Sequence, residues 1–395
     1  MKKKSVHIQL APFNQCTGCS ACMSICPTRS ITMREDKEGF LQPHIDANTC
    51  IMCHKCEKTC PIIFPVDIPT DFETQAFAAI NKDEAVRMRS SSGGMFYALA
   101  KWTIEQGGVV FGARFDENWD VVHDYTETIE GIEPFMRSKY VQSRIGDTFK
   151  QAKQFLKEGR QVLFVGSPCQ IGGLHAYLGK DYENLVSVDF ICHGIPSPWV
   201  WKRYLQENFA QSELTYYNFR DKSEGWMSKQ CMIDIKTKSE HRKTKLLDNP
   251  YFRGFRKDIY LRRSCYKCDF RTYNRLSDFT IADFWGVMRV CPEMFDNRGT
   301  SIAIIHSAKA KNILSHISSE IILKEQTKEN AISGNRGMDN ENPIWSPFKR
   351  KLFYTTIQRS TFQNAMILVD RFLNTEEWLN NQSQRVQRKL KKIFR

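Results

Sequence analysis

The sequence lacks the features that would settle its class at once. No uninterrupted apolar stretch reaches the roughly 18 residues that a membrane span requires, and the opening MKKKSVHIQL carries no apolar run of the signal-peptide kind. A spanning or secreted protein is not expected, and the compartment these letters point to is a reducing cytoplasm. Walker A, H-E-x-x-H and G-x-G-x-x-G patterns are absent, as is any Ser-His-Asp order, so hydrolase and ATPase readings have no support. Acids are missing from Asn381 to Arg395, a stretch that holds six bases, and without it the formal charge of +13 falls to +7. The pI of about 9.1 invites a nucleic-acid reading. With so much of the excess in one tail, no nucleic-acid partner is expected. The tail places Val386, Leu390, Ile393 and Phe394 on one helical face, which suits peripheral contact with an anionic membrane, or a solvated terminus.

What is present is an ordinary globular mixture, 41% hydrophobic and 26% charged over 395 residues. That length suits about two to three domains. Fourteen cysteines stand out. Without an export signal they read as metal ligands or redox groups rather than disulfides.

Eight of the fourteen fall in the first 60 residues, so a small ligand-dense domain starts the chain at 1–66. The proline-rich text from Pro61 to Asp71 favours an extended connection, and residues 67–74 are the expected linker. Strand-like and helix-like runs then alternate. Strands are expected at 75–81, 109–114, 161–166, 185–190, 214–219, 232–236, 278–282 and 301–306, with helices at 95–106, 147–158, 170–178 and 198–209. Such alternation predicts a larger α/β domain over 75–325. Residues 326–395 form a C-terminal extension, with 327–347 expected as loop and 362–379 as helix before the basic tail.

One internal repeat is present. Cys16, Cys19, Cys22 and Cys26-Pro27 recur as Cys50, Cys53, Cys56 and Cys60-Pro61, offset by 34 throughout. A C-x2-C-x2-C-x3-C-P run offers three thiolates from one tight loop, while its fourth cysteine ligates the other centre in two-cluster ferredoxins. The expected sets are Cys16, Cys19, Cys22 with Cys60, and Cys50, Cys53, Cys56 with Cys26. Zinc needs only four thiolates and gives no reason for a repeated triple with a trailing Cys-Pro. Residues 1–66 resemble the bacterial two-cluster ferredoxins, an α+β module, and the resemblance implies two [4Fe-4S] clusters and one-electron transfer.

Six cysteines remain. Cys265 and Cys268 form C-x2-C in the basic text RRSCYKCDFR, which suits ligation better than burial. Cys169 follows the strand-like VLFVG and Cys192 follows VSVDF, so both fall at carboxyl ends of strands, where open α/β sheets place ligands. These four could close a third [4Fe-4S] cluster. Cys231 and Cys291 read as packed thiols.

SSSGGMFYALA, GVVFGARFD, RSKYVQS, GSPCQIGGL, DFICHGIPSP, C-x2-C and DFTIADFWG, in this order, resemble the coenzyme F420 hydrogenase/dehydrogenase beta-subunit family. The family also contains 7-hydroxymethyl chlorophyll a reductase and bacterial members associated with polysaccharide gene clusters. The resemblance covers about residues 75–325 and implies a flavin-binding α/β domain with FAD and a cubane cluster. Ser91, Ser92, Gly93 and Gly94 precede a helix and could hold the FAD pyrophosphate, though a plain N-cap reads the same letters equally well. Lys139, Tyr140 and Ser143 suit phosphate or ribose, or a solvated loop. Asp283 and Trp285 end an apolar strand and could contact the flavin. His193 could donate a proton, but beside Cys192 it reads more naturally as a loop residue.

These readings give a first function: an iron-sulfur flavoprotein oxidoreductase. Electrons would arrive singly from a ferredoxin-like donor or an F420-type carrier and be paired on FAD for an unknown small-molecule or sugar-linked substrate, with a role in polysaccharide biosynthesis among those the resemblance implies. The alternative is a non-catalytic subunit that wires a partner enzyme to a soluble donor.

Overall fold

The computed structural model describes residues 7–209, 213–335, 337–338 and 342–373. The N-terminal module contains α1 (Ala21–Ile25), the hairpin strands β1 (Ile31–Glu35) and β2 (Leu41–Ile45), and α2 (Lys55–Lys58). The hairpin is antiparallel, with Ile31 opposite Ile45 and Glu35 opposite Leu41. Its turn is held by Asp36, whose Oδ1 accepts from the backbone N–H of Glu38 and Phe40. Residues 61–74 then run without helix or strand.

The larger domain begins with β3 (Gln75–Asn81), α3 (Glu84–Arg89), α4 (Met95–Glu105), β4 (Val109–Phe115) and β5 (Val121–Thr126). It continues through α5 (Thr148–Lys157), β6 (Val162–Val165), α6 (Pro168–Leu178), β7 (Leu185–Phe190) and α7 (Pro198–Asn208). Strands β8 (Leu214–Asp221), β9 (Met232–Thr237) and β10 (His241–Lys245) form a separate antiparallel sheet, followed by α8 (Pro250–Arg256). The chain returns with β11 (Phe279–Asp283), α9 (Val287–Val290), β12 (Ser301–Ile305), α10 (Ala308–His316), β13 (Ile321–Gln326), α11 (Lys328–Ile332) and α12 (Pro347–Arg359). A further helix covers 362–373.

The large sheet has the order β13-β3-β12-β11-β7-β6-β4-β5. Its centre, β11-β7-β6-β4, is parallel, and the flanking pairs are antiparallel. Strands β6 (VLFV) and β7 (LVSVDF) are almost wholly apolar because helices or neighbouring segments cover both faces. The expected strands and helices of 75–306 form close to their expected bounds. Two corrections concern the C-terminal extension. The stretch 327–347, expected as loop, contains α11, whose Thr327 hydroxyl accepts from Asn330 N, and α12 begins at its last residue. The helix expected at 362–379 is described to residue 373, and the basic tail lies outside the described residues.

The N-terminal module packs onto the larger domain. Ala21 of α1 is 1% exposed and sits in one apolar cluster with Phe149 of α5 and Ile171 and Leu174 of α6. The tip of the β1–β2 hairpin is held from the other side. Glu38 lies between Arg263 and Arg350 at 2.8 and 2.5 Å, and the Ser197 hydroxyl donates to Glu38 O at 2.5 Å.

Candidate metal centres

The two repeated loops share an unusual backbone. Gly18 and Ser20 flank Cys19 at φ 69° and 64°, while Met52 and His54 flank Cys53 at 53° and 57°. The left-handed region costs a side-chain-bearing residue roughly 1 kcal/mol or more, so strain at Ser20, Met52 and His54 marks loops held for a purpose. Left-handed residues set between right-handed or turn residues aim successive N–H groups into one concavity, an arrangement that receives anions and many iron-sulfur centres.

The thiols gather in two groups. The Cys19 thiol is pushed up to about 11 by burial, with the charges of Cys16 and Cys60 adding to it. Cys22 is driven well above the ordinary value by burial and then by Cys19, Cys16, Cys60 and Cys56. Cys60, from the second repeat, therefore stands with the first loop. Cys26 stands with the second: it lines one cavity with Cys50, Cys53 and Cys56, among the apolar side chains of Ile8, Ile31 and Ile45. Burial raises Cys56 to about 11, with Glu57 and Cys26 contributing. At Cys26 burial is outweighed by hydrogen bonds with Thr28 and the backbone of Ser30, which hold its thiol below the ordinary value. Buried thiols raised by the charges of neighbouring cysteines, as at Cys19, Cys22 and Cys56, belong to a donor set that needs cations at its centre. Together with the N–H concavities, this chemistry fits two iron-sulfur clusters.

The remaining set is built at the sheet edge. Cys169 follows β6 and Cys192 follows β7, adjacent parallel strands, so both thiols arrive on the same side. A Ser167–Gln170 capping box with Pro168 at the first helical position starts α6 two residues before the expected Gln170 and places Cys169 in its first turn. Cys265 lies in the 3-10 turn Arg263–Tyr266, and its Sγ accepts from Ile195 N at 3.4 Å, which ties it to the loop after Cys192. Burial, and next the charge of Cys268, drive Cys169 well above the usual thiol range. Burial and then Cys265 push Cys192 up to about 12, and burial with Cys268 pushes Cys265 to about 11. The four mutually repelling thiols fit a third cluster by the same argument. Among the described residues no three His, Cys, Asp or Glu side chains converge on a single metal ion. Cys231 and Cys291 are buried at 0% and 1% exposure, each within an apolar cluster.

One helix joins the first set to the third. Gly173 of α6 lies against Cys19, so that a Cβ there would fall 2.9 Å from the Cys19 Sγ. Cys169 is four residues earlier on the same helix, about 6 Å along its axis. The preceding Gly172 receives Phe270, two residues beyond Cys268, so closely that a Cβ on this glycine would stand 2.7 Å from the ring.

The residues expected to hold FAD are placed differently. Ser91 Oγ accepts from Ser138 N at 2.9 Å, Ser92 Oγ donates to Thr300 O at 2.8 Å, and Gly93 N donates to Ser301 Oγ at 2.9 Å. A Cβ on Gly93 would lie 2.2 Å from Ala79 O, so this strip is packed onto β3 and β12. Gly94, at φ 89°, is the N-cap of α4. Lys139 donates to Pro134 O and Met136 O, both at 2.7 Å, and burial lowers its pKa to about 7. Tyr140 packs edge-on against Phe219 and Phe252, and Ser143 Oγ accepts from Gln170 Nε2 at 3.0 Å. Asp283 accepts from Trp226 Nε1 at 2.7 Å and Arg220 at 3.3 Å, and Trp285 stacks on Trp226 at 5.0 Å. These groups are engaged by the protein's own polar atoms and rings. His193 pairs with Asp258 at 2.7 Å, and its carbonyl accepts from Arg271, which anchors the Cys192 loop to the end of α8.

Sequence reasoning missed the arginines around the third set. Arg262, Arg271 and Arg275 are 2%, 3% and 4% exposed. The basic letters RRSCYKCDFR announced charge near Cys265, but only the fold shows that it is buried.

The comparisons with known proteins follow this division. Residues 15–62 match the 4Fe-4S dicluster domain, and residues 159–331 match the C-terminal part of the coenzyme F420 hydrogenase/dehydrogenase beta-subunit family. One component of the F(420)H(2) dehydrogenase of Methanosarcina mazei is 24% identical over 165 residues, which cover 39% of this chain and 46% of that protein. An uncharacterised protein of Methanocaldococcus jannaschii is 22% identical over 211 residues, covering 46% and 58%. The chain thus spans about half the length of the curated relatives it matches. A chain of the F420-reducing [NiFe] hydrogenase complex from Methanosarcina barkeri superimposes with a TM-score of 0.44 at 15% identity, covering 66% of this chain and 85% of that one. By the sequence matches, the chain joins a 4Fe-4S dicluster domain to a segment that matches the C-terminal part of the coenzyme F420 hydrogenase/dehydrogenase beta-subunit family.

Proposed function

We propose that the chain is a three-cluster electron conduit, taking electrons one at a time from a soluble ferredoxin-like donor and delivering them toward a protein partner. The observation that carries this reading is α6, which bears Cys169 in its first turn and receives Cys19 against Gly173 one turn later. When bound, the cubanes would supply one-electron redox chemistry. Cys16, Cys19, Cys22 and Cys60 would hold the middle one, Cys26, Cys50, Cys53 and Cys56 the outer one, and Cys169, Cys192, Cys265 and Cys268 the inner one. Cys53 is exposed, with Ile51 61% and Met52 41% exposed beside it, so the second loop meets solvent and a donor. Cys19 faces inward onto α6. The buried packing of Ala21 on Phe149 and Leu174 keeps the module seated and water out of the junction.

Iron per chain tests the proposal. Anaerobically reconstituted protein is expected to bind about twelve irons, at about four per cubane, and about eight would remove the third set and break the conduit.

The finer reading adds FAD, F420 or a sugar-linked substrate. It rests on the beta-subunit match and on the sheet edge at which β6, β7 and β11 end. Flavin released by acid from the reconstituted protein decides it. Near-stoichiometric FAD makes the chain an oxidoreductase in its own right, and none leaves the chemistry with the partner.

A further inference from the structure

Arg262 is a buried cation between two of these sets. Its Nε donates to Cys16 O at 2.7 Å, its Nη2 to Leu41 O at 2.9 Å and to the Cys16 Sγ at 3.6 Å, and its Nη1 to Gln142 Oε1 at 3.1 Å. Gln142 in turn donates to Thr17 O at 3.1 Å. Phe40 lies under the guanidinium at 5.5 Å, and Gly18 fits so closely that a Cβ there would stand 2.7 Å from Nη1. The backbone of Arg262 serves the other side: its N–H donates to Ile195 O at 2.8 Å, and its carbonyl accepts from Cys265 N at 2.9 Å.

Among the described residues no carboxylate pairs with Arg262, in contrast with its neighbour Arg263, which meets Glu38. A guanidinium that is 2% exposed and surrounded by neutral acceptors carries a desolvation cost that an anion must offset. Cys16 Sγ is the only acceptor named above that becomes anionic, and it does so when the cluster is bound.

We propose that Arg262 is the counter-cation of the cluster held by Cys16, Cys19, Cys22 and Cys60, and that its charge raises that cluster's reduction potential above that of the outer cluster. The inference rests on the conduit reading. Each added electron makes a cubane more negative, so a fixed cation beside it stabilises the reduced state more than the oxidised one. In a buried setting this attraction is screened little by salt. Electrons received at the exposed second loop are thereby drawn inward.

The test is a potentiometric titration followed by electron paramagnetic resonance on the full reconstituted chain, as wild type, Arg262→Gln and Arg262→Lys, with iron determined on each sample. Cys53→Ser, which removes an outer ligand, assigns the outer signal. The expected result is a lower midpoint for the middle cluster in Arg262→Gln, an unchanged outer midpoint, and a middle midpoint near wild type in Arg262→Lys. A wild-type midpoint in iron-replete Arg262→Gln overturns the inference, and so does an equal fall in both variants, which would assign the effect to hydrogen bonding. If Arg262→Gln loses iron, retention of iron and midpoint by Arg262→Lys supports the charge, while iron loss in both makes Arg262 a structural clamp and overturns it. A wild-type chain without a middle cluster would sink the conduit itself, a separate outcome visible before any variant is compared.

Discussion

Cys169 is partly buried and Cys231 fully buried within the same domain, and their neighbours give them opposite roles. Cys169 faces three other thiols at the end of a sheet, whereas Cys231 donates to Asp221 O at 3.4 Å inside an aromatic cluster. Cys169→Ser should lower iron from about twelve to about eight per chain and remove one paramagnetic signal, while Cys231→Ser should leave both unchanged; colorimetric iron and low-temperature spectra check the pair. A second residue-scale expectation concerns acid. Arg87, 3% exposed, forks onto Asp296 at 2.8 and 2.6 Å. Burial alone would raise the Asp296 carboxyl, but Arg87 outweighs it and holds the pKa down to about 2. A lowered carboxylate contributes stability that is complete above its unfolded pKa of about 3.9 and is lost as pH falls toward the folded value. The melting-temperature gap between wild type and Asp296→Asn should be constant from pH 7 to pH 5 and shrink below about pH 4.

At the scale of elements, α6 and the β1–β2 hairpin decide how the module is seated. Gly173→Ala inserts a methyl group 2.8 Å from Cys19 Cβ, closer than packed carbons approach. It should destabilise the chain by about 1–3 kcal/mol and hasten iron loss to a chelator, read by urea unfolding and by the bleaching of the cluster absorbance. The hairpin tip is an ion-pair knot. Glu38 is held ionised: burial opposes its charge, but Arg350 and then Arg263 prevail and keep its pKa below the ordinary carboxylate value. Arg350 is 3% exposed and also touches Leu261 O, Tyr266 and Tyr354. Glu38→Gln strands that buried cation and should cost about 3 kcal/mol in urea unfolding. These elements were legible to unequal degrees. The strands of 75–306 announced themselves by apolar runs, and Ser167-x-x-Gln170 could have placed the start of α6. The hairpin was not read, because ITMRE and LQPHI are each only five residues long and LQPHI carries a proline in its middle.

At the scale of the whole molecule, contacts tie the N-terminal module to the larger domain on several sides. Ala21 belongs to the α5–α6 core, Glu38 reaches α12, and Arg262 reaches back to Cys16 and Leu41. Metal binding in such a chain is folding free energy for both domains at once. Iron removal should therefore lower a single melting transition, not abolish an early transition and spare a later one; differential scanning calorimetry with and without chelator checks this. Among the described residues no helix is long and apolar enough to cross a membrane.

The sequence by itself determined the ligand-rich start of the chain, because thiol spacing in a tight loop is a local matter. A 34-residue offset repeated in the letters reappears as left-handed backbone at residues 18 and 20 and again at 52 and 54. It also determined the alternating strands and helices, since hydrophobic periodicity is written along the chain. Only tertiary structure decided what faces what. Cys19 meets Gly173 across more than 150 residues, Arg262 meets Cys16 and Leu41 with no carboxylate among the described residues, and the hydroxyls of Ser91 and Ser92 are taken by Ser138 and Thr300. Burial and pairing are properties of neighbours brought together by folding, and charge acquires its meaning only once those neighbours are known.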